Sequence, residues 1–318
     1  MTDDPRWPRA KAWLAGDHEP EPVAHLGVVG VPLGLGSVTP SRCDLTPAAV
    51  RDALGRFSTW DEPEAHAGTE RPEPWKGFDL RSIAARDLGD LDVSELEPAD
   101  AFEPIRDGAA RGLGGADAVA LLGGNNAITR PGVHALGLPL ERVGLLTFDA
   151  HFDLRDTGEG LGNGNPVRAL LEDGLPGKNV WQIGIQPFAN SSAYHEVAHE
   201  AGVSFVTADQ ARRDGVEEVV SRALTQLSFE GVEAIYVDLD LDVLDRASAP
   251  ACAGSRPGGL NPMEMRAAAR LCGRFGLVRA VDLVEVDPEK DVADMTVLAA
   301  ASLLLAFAAG LAGRAPTA

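Results

Sequence analysis

The sequence predicts one α/β domain, built on a mostly parallel sheet of about eight strands with helices on both faces. Three observations predict this class: β-branched apolar runs recur along the chain, helical patterns lie between most of them, and the connections are short. Hydrophobic residues make up 45% of the 318 residues and charged residues 24%, so the chain can bury a sizeable core. This composition excludes global disorder.

The strands are predicted from the β-branched apolar runs. In chain order they are Leu26–Pro32, Ser82–Asp87, Ala118–Gly123, Val143–Phe148, Val180–Ile185, Ser204–Thr207, Ala234–Leu239 and Arg279–Val286. The helical patterns between them include Pro47–Leu54, Val216–Leu227 and Pro262–Cys272. We expect Thr46 to be the N-cap of the first of these helices, with Pro47 at its first helical position.

Three further segments complete the organisation of the chain. Residues 1–24 are polar and contain prolines, which predicts a flexible N-terminal arm before a single domain at residues 25–318. The segment Ser58–Gly77 is rich in proline, glutamate and glycine, which indicates a surface loop. The uncharged run Met295–Gly313 is long enough to span a bilayer. Its alanine content and the two aspartates that precede it favour a buried terminal helix instead.

The net charge of −20 argues against nucleic acids and anionic membranes as partners, because either would require a basic face. An anionic substrate would therefore have to meet local cations. Cys43, Cys252 and Cys272 are widely spaced and fit neither a disulfide framework nor a zinc pattern. This cysteine usage favours a reducing, cytoplasmic location.

Acidic and polar clusters follow four of the predicted strands. They are Gly123–Asn126, Asp149–Asp153, Asp238–Asp242 and Glu285–Pro288. Ligands of open parallel sheets bind at the carboxyl ends of the strands, so we expect these side chains to converge there. One such cluster alone is a weak signal, because acidic turns and helix N-caps are common. The joint occurrence of four clusters makes the signal specific.

Five carboxylates and one imidazole that converge in a buried site would repel one another strongly. Divalent cations remove this problem, and oxygen-rich ligands with one imidazole favour an ion such as Mn²⁺ over a thiolate-seeking metal. Two cations that share carboxylates would lie about 3.5–4 Å apart and could hold a bridging hydroxide as nucleophile. The clusters therefore predict a two-cation site.

These motifs resemble those of the ureohydrolase superfamily, which contains arginases, agmatinases and formimidoylglutamases. Asp149–Asp153 reads DAHFD and matches the DAHxD motif of the superfamily in full. Asp238–Leu260 keeps the spacing of the acids and of the later proline and glycine pair in a second motif, and Glu285–Pro288 and Gly123–Ala127 resemble two more. The resemblance runs from about Val28 to the C-terminus. It implies the three-layer arginase-like fold and a binuclear manganese site.

The resemblance also implies roles for individual residues. Six would ligate two Mn²⁺ ions: Asp149 and Asp240 would bridge them, Asn126 and Asp153 would complete one, and His151 and Asp242 would complete the other. Asp153 would also act in catalysis by passing a proton to the leaving nitrogen. Glu285 would be the second catalytic residue and would hold the amidinium end of the substrate as an ion pair.

The chain departs from the superfamily pattern in its GGDHS-type motif. Asn126 stands where the superfamily has a histidine ligand, and Asn125 replaces the preceding aspartate. An amide oxygen is a weaker donor to Mn²⁺ than an imidazole, so we expect one cation to bind more loosely than the other. A metal-poor homologue that binds or scaffolds without catalysis stays open as an alternative.

A second departure concerns the substrate. Asn163-Gly164-Asn165-Pro166 occupies the place of the HGTP motif of arginases and agmatinases, so the proton-shuttle histidine of those guanidino hydrolases is absent. We expect Asn163 and Asn165 to bind substrate. Arg155 directly follows the DAHFD segment, as in formimidoylglutamases, and could clamp a substrate carboxylate with two hydrogen bonds.

The resemblance is nearest to formimidoylglutamases. It implies hydrolysis of N-formimidoyl-L-glutamate to L-glutamate and formamide, a step of histidine degradation. An agmatinase-like or arginase-like guanidino hydrolase is the second hypothesis. The expected partners are a small amidine or guanidino substrate and further copies of the chain in a homo-oligomer.

Overall fold

The computed structural model describes residue 4, residues 6–61 and residues 78–314. Its strands are β1 (Ala24–Gly30), β2 (Trp60–Asp61), β3 (Phe78–Asp79), β4 (Ile83–Asp90), β5 (Ala118–Leu122), β6 (Val143–Phe148), β7 (Val180–Ile185), β8 (Ser204–Thr207), β9 (Ala234–Asp240) and β10 (Val278–Val284). Its helices are α1 (Ala10–Leu14), α2 (Thr46–Ala53), α3 (Pro98–Leu113), α4 (Thr129–His134), α5 (Pro166–Asp173), α6 (Ser192–Ala201), α7 (Ala208–Asp214), α8 (Val216–Phe229), α9 (Pro262–Arg274) and α10 (Met295–Leu311).

Eight of these strands form one parallel sheet in the order β4-β1-β5-β10-β9-β6-β7-β8. β2 and β3 form a separate antiparallel pair. All eight predicted strands are present with ends shifted by a few residues, so the predicted α/β class is confirmed. The four strands that precede the polar clusters, β5, β10, β9 and β6, are consecutive neighbours in the sheet. Their carboxyl ends therefore meet at one edge.

The sheet is covered on both faces, which gives three layers. Alternate residues of a strand point to opposite faces. On β5, Ala118, Ala120 and Leu122 belong to one core cluster, while Val119 and Leu121 belong to the other. The first cluster includes apolar residues of α2, α8, α9 and α10, and the second includes those of α3, α4, α5 and α6. Burial on both faces explains why the strands read as continuous apolar runs.

The alanine-rich run near the C-terminus is the core helix α10, which packs against α9 and α2. The carboxylate of Asp291 accepts hydrogen bonds from the backbone N–H groups of Thr296 and Val297 at 3.1 and 2.9 Å and so caps the helix. A Cβ atom on Gly310 would lie 2.3 Å from the carbonyl oxygen of Arg270. The small residues are therefore needed for close contact of the two helices. Within the described ranges, no helix is long and apolar enough to cross a bilayer.

Three expectations about local structure need correction or qualification. Thr46 is the first helical residue rather than the N-cap, because its hydroxyl donates a hydrogen bond at 2.6 Å to the carbonyl oxygen of Val286. The arm at residues 1–24 is not loosely held throughout. Trp13 of α1 is fully buried, and its indole N–H donates to the carbonyl oxygen of Ile83 at 2.8 Å. Most of the predicted surface loop, residues 62–77, lies outside the described residues.

Candidate metal centre

The predicted site residues lie together at the carboxyl edge of the four central strands. Asp149 directly follows β6, Asp240 ends β9, and Glu285 directly follows β10. Asn126 lies in the turn that leads from β5 to α4. All four side chains are buried, with at most 6% of the surface of each residue exposed. The sheet order thus assembles a polar site from segments that are up to 159 residues apart in the chain.

One side of the site, which we call the His151 side, consists of Asp149, His151 and Asp242. The Nδ1 atom of His151 lies 2.9 Å from Asp242 Oδ2 and 3.4 Å from Asp149 Oδ1. One ligand atom from each of the three residues lies within 4.8 Å of those of the other two, a group that could hold a metal ion. Burial lowers the pKa of His151, but attraction by Asp242 and Asp149 overcomes it and raises the value to about 12.

Backbone N–H groups fix the carboxylates of this side and that of Asp240. Asp149 Oδ1 accepts from the N–H of His151 at 2.6 Å, and Asp242 Oδ1 accepts from that of Ala150 at 3.1 Å. Asp240 Oδ1 accepts from the N–H of Asp242 at 2.8 Å. The contacts of Asp149 and Asp240 lie within their own motifs, two residues apart, whereas that of Asp242 joins two motifs across 92 residues. They hold the carboxylates at defined angles before any ligand binds.

The other side, which we call the Asn126 side, consists of Asn126, Asp153 and Glu285. The Nδ2 of Asn126 donates to Asp153 Oδ2 at 2.7 Å. Glu285 Oε1 accepts from the backbone N–H of Asn126 at 2.8 Å and from Nδ2 of Asn163 at 3.0 Å. Asp153 and Glu285 both have positive φ angles, 52° and 67°. Such strained backbone is concentrated at functional sites, where it directs side chains that a relaxed chain would turn elsewhere.

Burial raises the pKa of Asp242, but attraction by His151 outweighs it and lowers the value. The other carboxylates of the site are held in an environment that is unfavourable for negative charge. Burial, followed by repulsion from Asp242, raises the pKa of Asp149 to about 7. Burial raises the pKa of Glu285 to about 7 and raises those of Asp153 and Asp240 well above their ordinary values. The cluster therefore takes up either protons or cations. Carboxylate and amide oxygens with one imidazole are suited to a hard or borderline divalent cation.

A cavity of about 160 Å³ opens beside the cluster and is lined by Asp153, Asp240, Asp242, Glu285, Arg155 and Asn163, among others. Arg155 is exposed, and no ion pair of its guanidinium is found within the described residues. Gly254 forms part of the wall, and a Cβ atom there would lie 2.0 Å from Asp242 Oδ2. Only glycine fits this position without displacing the carboxylate.

Asn165 does not reach this cavity. Its Nδ2 donates to the carbonyl oxygens of Asp156 and Gly160 at 3.2 and 2.9 Å, and its Oδ1 accepts from the N–H of Gly162 at 2.9 Å. The side chain therefore holds the loop between Asp156 and α5. This loop carries Asn163, and a role of Asn165 in substrate binding stays a prediction.

Among the residues that line the cavity and were not anticipated from the sequence are Asn190, Tyr194 and Arg256. Asn190 Oδ1 accepts from the N–H of Phe152 at 2.9 Å, and its Nδ2 donates to the carbonyl oxygen of Ala150 at 2.9 Å. It thereby supports the DAHFD segment from a distance of 38 residues, for which the sequence carries no signal. For Arg256 the sequence does carry a signal, because an arginine within an acidic, metal-binding type of motif is unusual in a chain of net charge −20.

The fold and the buried carboxylate–imidazole cluster define an α/β protein with a metal-binding type of site at the sheet edge. The model of the arginase family matches residues 24–310, and the chain belongs to this family. It is 33% identical to the formimidoylglutamase of Halalkalibacterium halodurans over 288 residues, which cover 89% of this chain and 86% of that protein.

Two solved structures are similar over nearly the whole chain. The crystal structure of formimidoylglutamase from Bacillus subtilis matches with a TM-score of 0.87 and 28% identity, and the match covers 100% of this chain and 95% of that one. The structure of Trypanosoma cruzi formiminoglutamase with Mn²⁺ has a TM-score of 0.82 at 21% identity, covers 97% of this chain and 100% of that one, and shares the fold.

Proposed function

We propose that this protein is a metal-dependent hydrolase that cleaves N-formimidoyl-L-glutamate to L-glutamate and formamide. The observation that carries the proposal is the buried cluster around Asp149 and Asp240, which lies beside a cavity that also contains Arg155. The cluster is suited to cations, and the arginine is suited to a carboxylate of the substrate. The formimidoylglutamases among its relatives support this choice of substrate.

The proposed metal is Mn²⁺, with two ions per chain. Asp149, Asp240, His151 and Asp242 would hold one ion, and Asp149, Asp240, Asn126 and Asp153 would hold the other. When bound, Mn²⁺ would supply Lewis acidity and lower the pKa of water at the site. The backbone contacts that already fix Asp149, Asp240 and Asp242 support these ligand roles, because they reduce the ordering needed on binding.

The residues of the chain would bind, orient and protonate the substrate. Both described hydrogen bonds to Glu285 end on its Oε1 atom, which leaves Oε2 to bind the amidinium group. Arg155 would bind a carboxylate at the opposite end of the substrate. Asp153 would accept a proton released at the site during the reaction and pass it to the leaving nitrogen.

A guanidino hydrolase is the competing enzyme. Asn163 stands in place of the histidine of that class and is committed to Glu285 through a hydrogen bond of 3.0 Å. A carboxylate-free substrate such as agmatine would also carry its distal ammonium towards Arg155, which would repel it. These two features favour the formimidoyl substrate.

A panel of formimidoyl and guanidino substrates, assayed with Mn²⁺, tests the proposal. We expect formamide and glutamate from N-formimidoyl-L-glutamate and little urea from agmatine or from guanidino acids. Efficient urea release would support the guanidino hydrolase instead. Elemental analysis of protein purified with manganese addresses the third hypothesis, because a metal-poor scaffold would retain no Mn²⁺ and turn over none of the substrates.

Of the predicted partners, the small amidine substrate follows directly from the proposed function. Assembly into a homo-oligomer, a cytoplasmic location and the lack of nucleic-acid or membrane partners stay predictions from the sequence. Sedimentation of the purified protein and cell fractionation would test the first two.

A further inference from the structure

A chain of hydrogen-bonding groups lies beneath the Asn126 side and includes none of the other proposed ligands. Thr129, the first residue of α4, and Asp282, on β10, are both fully buried. The hydroxyl oxygen of Thr129 lies 2.7 Å from Asn126 Oδ1 and 2.8 Å from Asp282 Oδ2. Asp282 Oδ2 also accepts from the hydroxyl of Tyr236 at 2.7 Å. The amide of Asn126 is thus linked on one side to Thr129 and on the other to Asp153.

The hydroxyl of Thr129 has two acceptors beside it but only one hydrogen to donate. With Oδ1 of Asn126 facing it, as in this structure, the hydroxyl can donate either to Asn126 or to Asp282, so one of the two contacts lacks a hydrogen. With Nδ2 facing it, the hydroxyl would accept from the amide and donate to Asp282, so both contacts would be hydrogen bonds. Thr129 therefore favours the Nδ2 atom of the amide.

Two partners of the Asn126 side chain therefore compete for the same atom. Thr129 and Asp153 both favour Nδ2, and in this structure Asp153 has it, at 2.7 Å. A divalent cation beside Asp153 would reverse the balance, because a cation repels an N–H group and attracts an amide oxygen. The terminal torsion of asparagine has two broad orientations, so a half-turn exchanges Nδ2 and Oδ1 without moving the backbone.

We propose that Thr129 and Asp282 are positioning residues that turn the oxygen of Asn126 towards the cation. In the cation-bound protein, Nδ2 of Asn126 donates to the hydroxyl of Thr129, and that hydroxyl donates to Asp282. In the cation-free protein, Asp153 holds the amide in the reverse orientation. The inference rests on the proposed function only in that the site binds divalent cations.

An asparagine ligand needs such a device more than a histidine does. The two ends of an amide are nearly equal in size but opposite in hydrogen-bonding character, so shape alone does not select the orientation. Partners behind a metal ligand commonly change metal affinity by about 10–100-fold. The half-turn also breaks the contact between Asn126 and Asp153, which is a physical reason for weaker cation binding on this side.

Titration of the metal-free protein with Mn²⁺ tests the inference through binding rather than turnover. Free Mn²⁺ is followed by electron paramagnetic resonance, and two steps of unequal affinity are expected for the wild type. Thr129→Val keeps the shape and removes the hydroxyl, so it should weaken the weaker step by about tenfold or more and leave the stronger step unchanged. Thr129→Ser keeps the hydroxyl and should restore the wild-type value.

Thr147→Val is the matched control. Thr147 is a fully buried threonine on β6 whose hydroxyl has no hydrogen-bond partner in the part of the chain that the structure describes. The same substitution should therefore leave both steps unchanged. In the Asn126→Ala background, Thr129→Val should have no further effect, because no amide is left to orient.

A folded Thr129→Val variant with both steps unchanged, or with both weakened equally, would overturn the inference. So would a serine variant that binds as weakly as the valine variant. Wild-type protein that binds no Mn²⁺ would overturn the metal centre as well, whereas two steps insensitive to Thr129 would overturn only the positioning role.

If the Thr129→Val variant does not fold, neutron diffraction of wild-type crystals tests the same proposal. With Mn²⁺, the deuterium atoms should show Nδ2 of Asn126 towards Thr129 and the hydroxyl of Thr129 towards Asp282. A hydroxyl that donates to Asn126 Oδ1 in the Mn²⁺-bound crystal would contradict the proposal.

Discussion

The His151 side and the Asn126 side of the site differ in how their polar atoms are held. On the His151 side, Asp149 and Asp242 accept hydrogen bonds from backbone N–H groups, and an imidazole lies between them. On the Asn126 side, an amide with two alternative partners contacts Asp153, whose φ angle is positive. The first arrangement has fixed carboxylates and would have to release only the proton that His151 shares with them, whereas in our proposal the amide of the second has to turn over.

This difference indicates which side of the site should bind its cation more tightly. A ligand set fixed by backbone contacts needs little reorganisation, so the His151 side should bind its cation more tightly. Asp153 of the Asn126 side lines the same cavity as Arg155. Under the proposed function, weaker cation binding on this side would couple metal occupancy to the binding of substrate.

The largest expected effect comes from the carboxylates shared by both sides. Asp149→Ala or Asp240→Ala should abolish turnover, because each removes a proposed contact to both cations. The metal-free variants should stay folded and gain thermal stability, since a source of like-charge repulsion is lost. Asp92→Ala, at an exposed aspartate outside the site, is the control. Near wild-type turnover in either site variant would show that the two sides do not share these ligands.

The next effect tests whether Arg155, which lines the cavity beside Asp153, binds a carboxylate of the substrate. Arg155→Ala should raise KM for N-formimidoyl-L-glutamate by about tenfold to a hundredfold, which corresponds to a lost charge-assisted contact of about 1.5–3 kcal/mol. Arg155→Lys should recover part of it, because an ammonium lacks the planar fork of the guanidinium. Arg213→Ala, at an exposed arginine of α7, is the matched control. Efficient agmatine turnover together with a silent Arg155→Ala would reverse the substrate assignment.

A smaller effect is expected from a substitution that removes the difference in cation affinity between the two sides. Asn126→His replaces the amide by a stronger donor for Mn²⁺, so the weaker step of a Mn²⁺ titration should tighten by about tenfold or more while the stronger step stays as it is. Isothermal titration calorimetry of the metal-free proteins measures both steps. Two equal, tight steps in the wild type would mean that the asparagine does not weaken the site.

The smallest effect concerns the stability of the metal-free protein as a function of pH. Folding raises the pKa of Asp149 from 3.8 and that of Glu285 from 4.5, each to about 7. Between pH 4 and 7 the folded protein therefore binds more protons than the unfolded chain, so stability should fall as pH rises through this window. The melting temperature, measured with chelator and again with Mn²⁺, checks this. A slope that Mn²⁺ leaves unchanged would show that cations do not replace these protons.

The site was predictable from the sequence to the extent that its signals are local. DAHFD and DLDLD place carboxylates at fixed spacings after apolar runs, and the structure brings Asp149, His151, Asp240 and Asp242 together at one edge. For Asn165 the motif suggests substrate contact, whereas the hydrogen bonds of its side chain in the structure go to its own loop. Pattern alone does not separate these two uses of a polar side chain.

The sequence by itself determined the eight strands and the polar clusters that follow four of them, because burial on both faces of a parallel sheet is recorded residue by residue in apolar runs. Only the tertiary structure decided that β5, β10, β9 and β6 are neighbours and that Trp13 is buried. It also decided that Thr129 and Asp282 lie behind Asn126, through hydrogen bonds between residues up to 153 positions apart. Such contacts depend on strand order and on the path of the chain between elements, which no local pattern encodes.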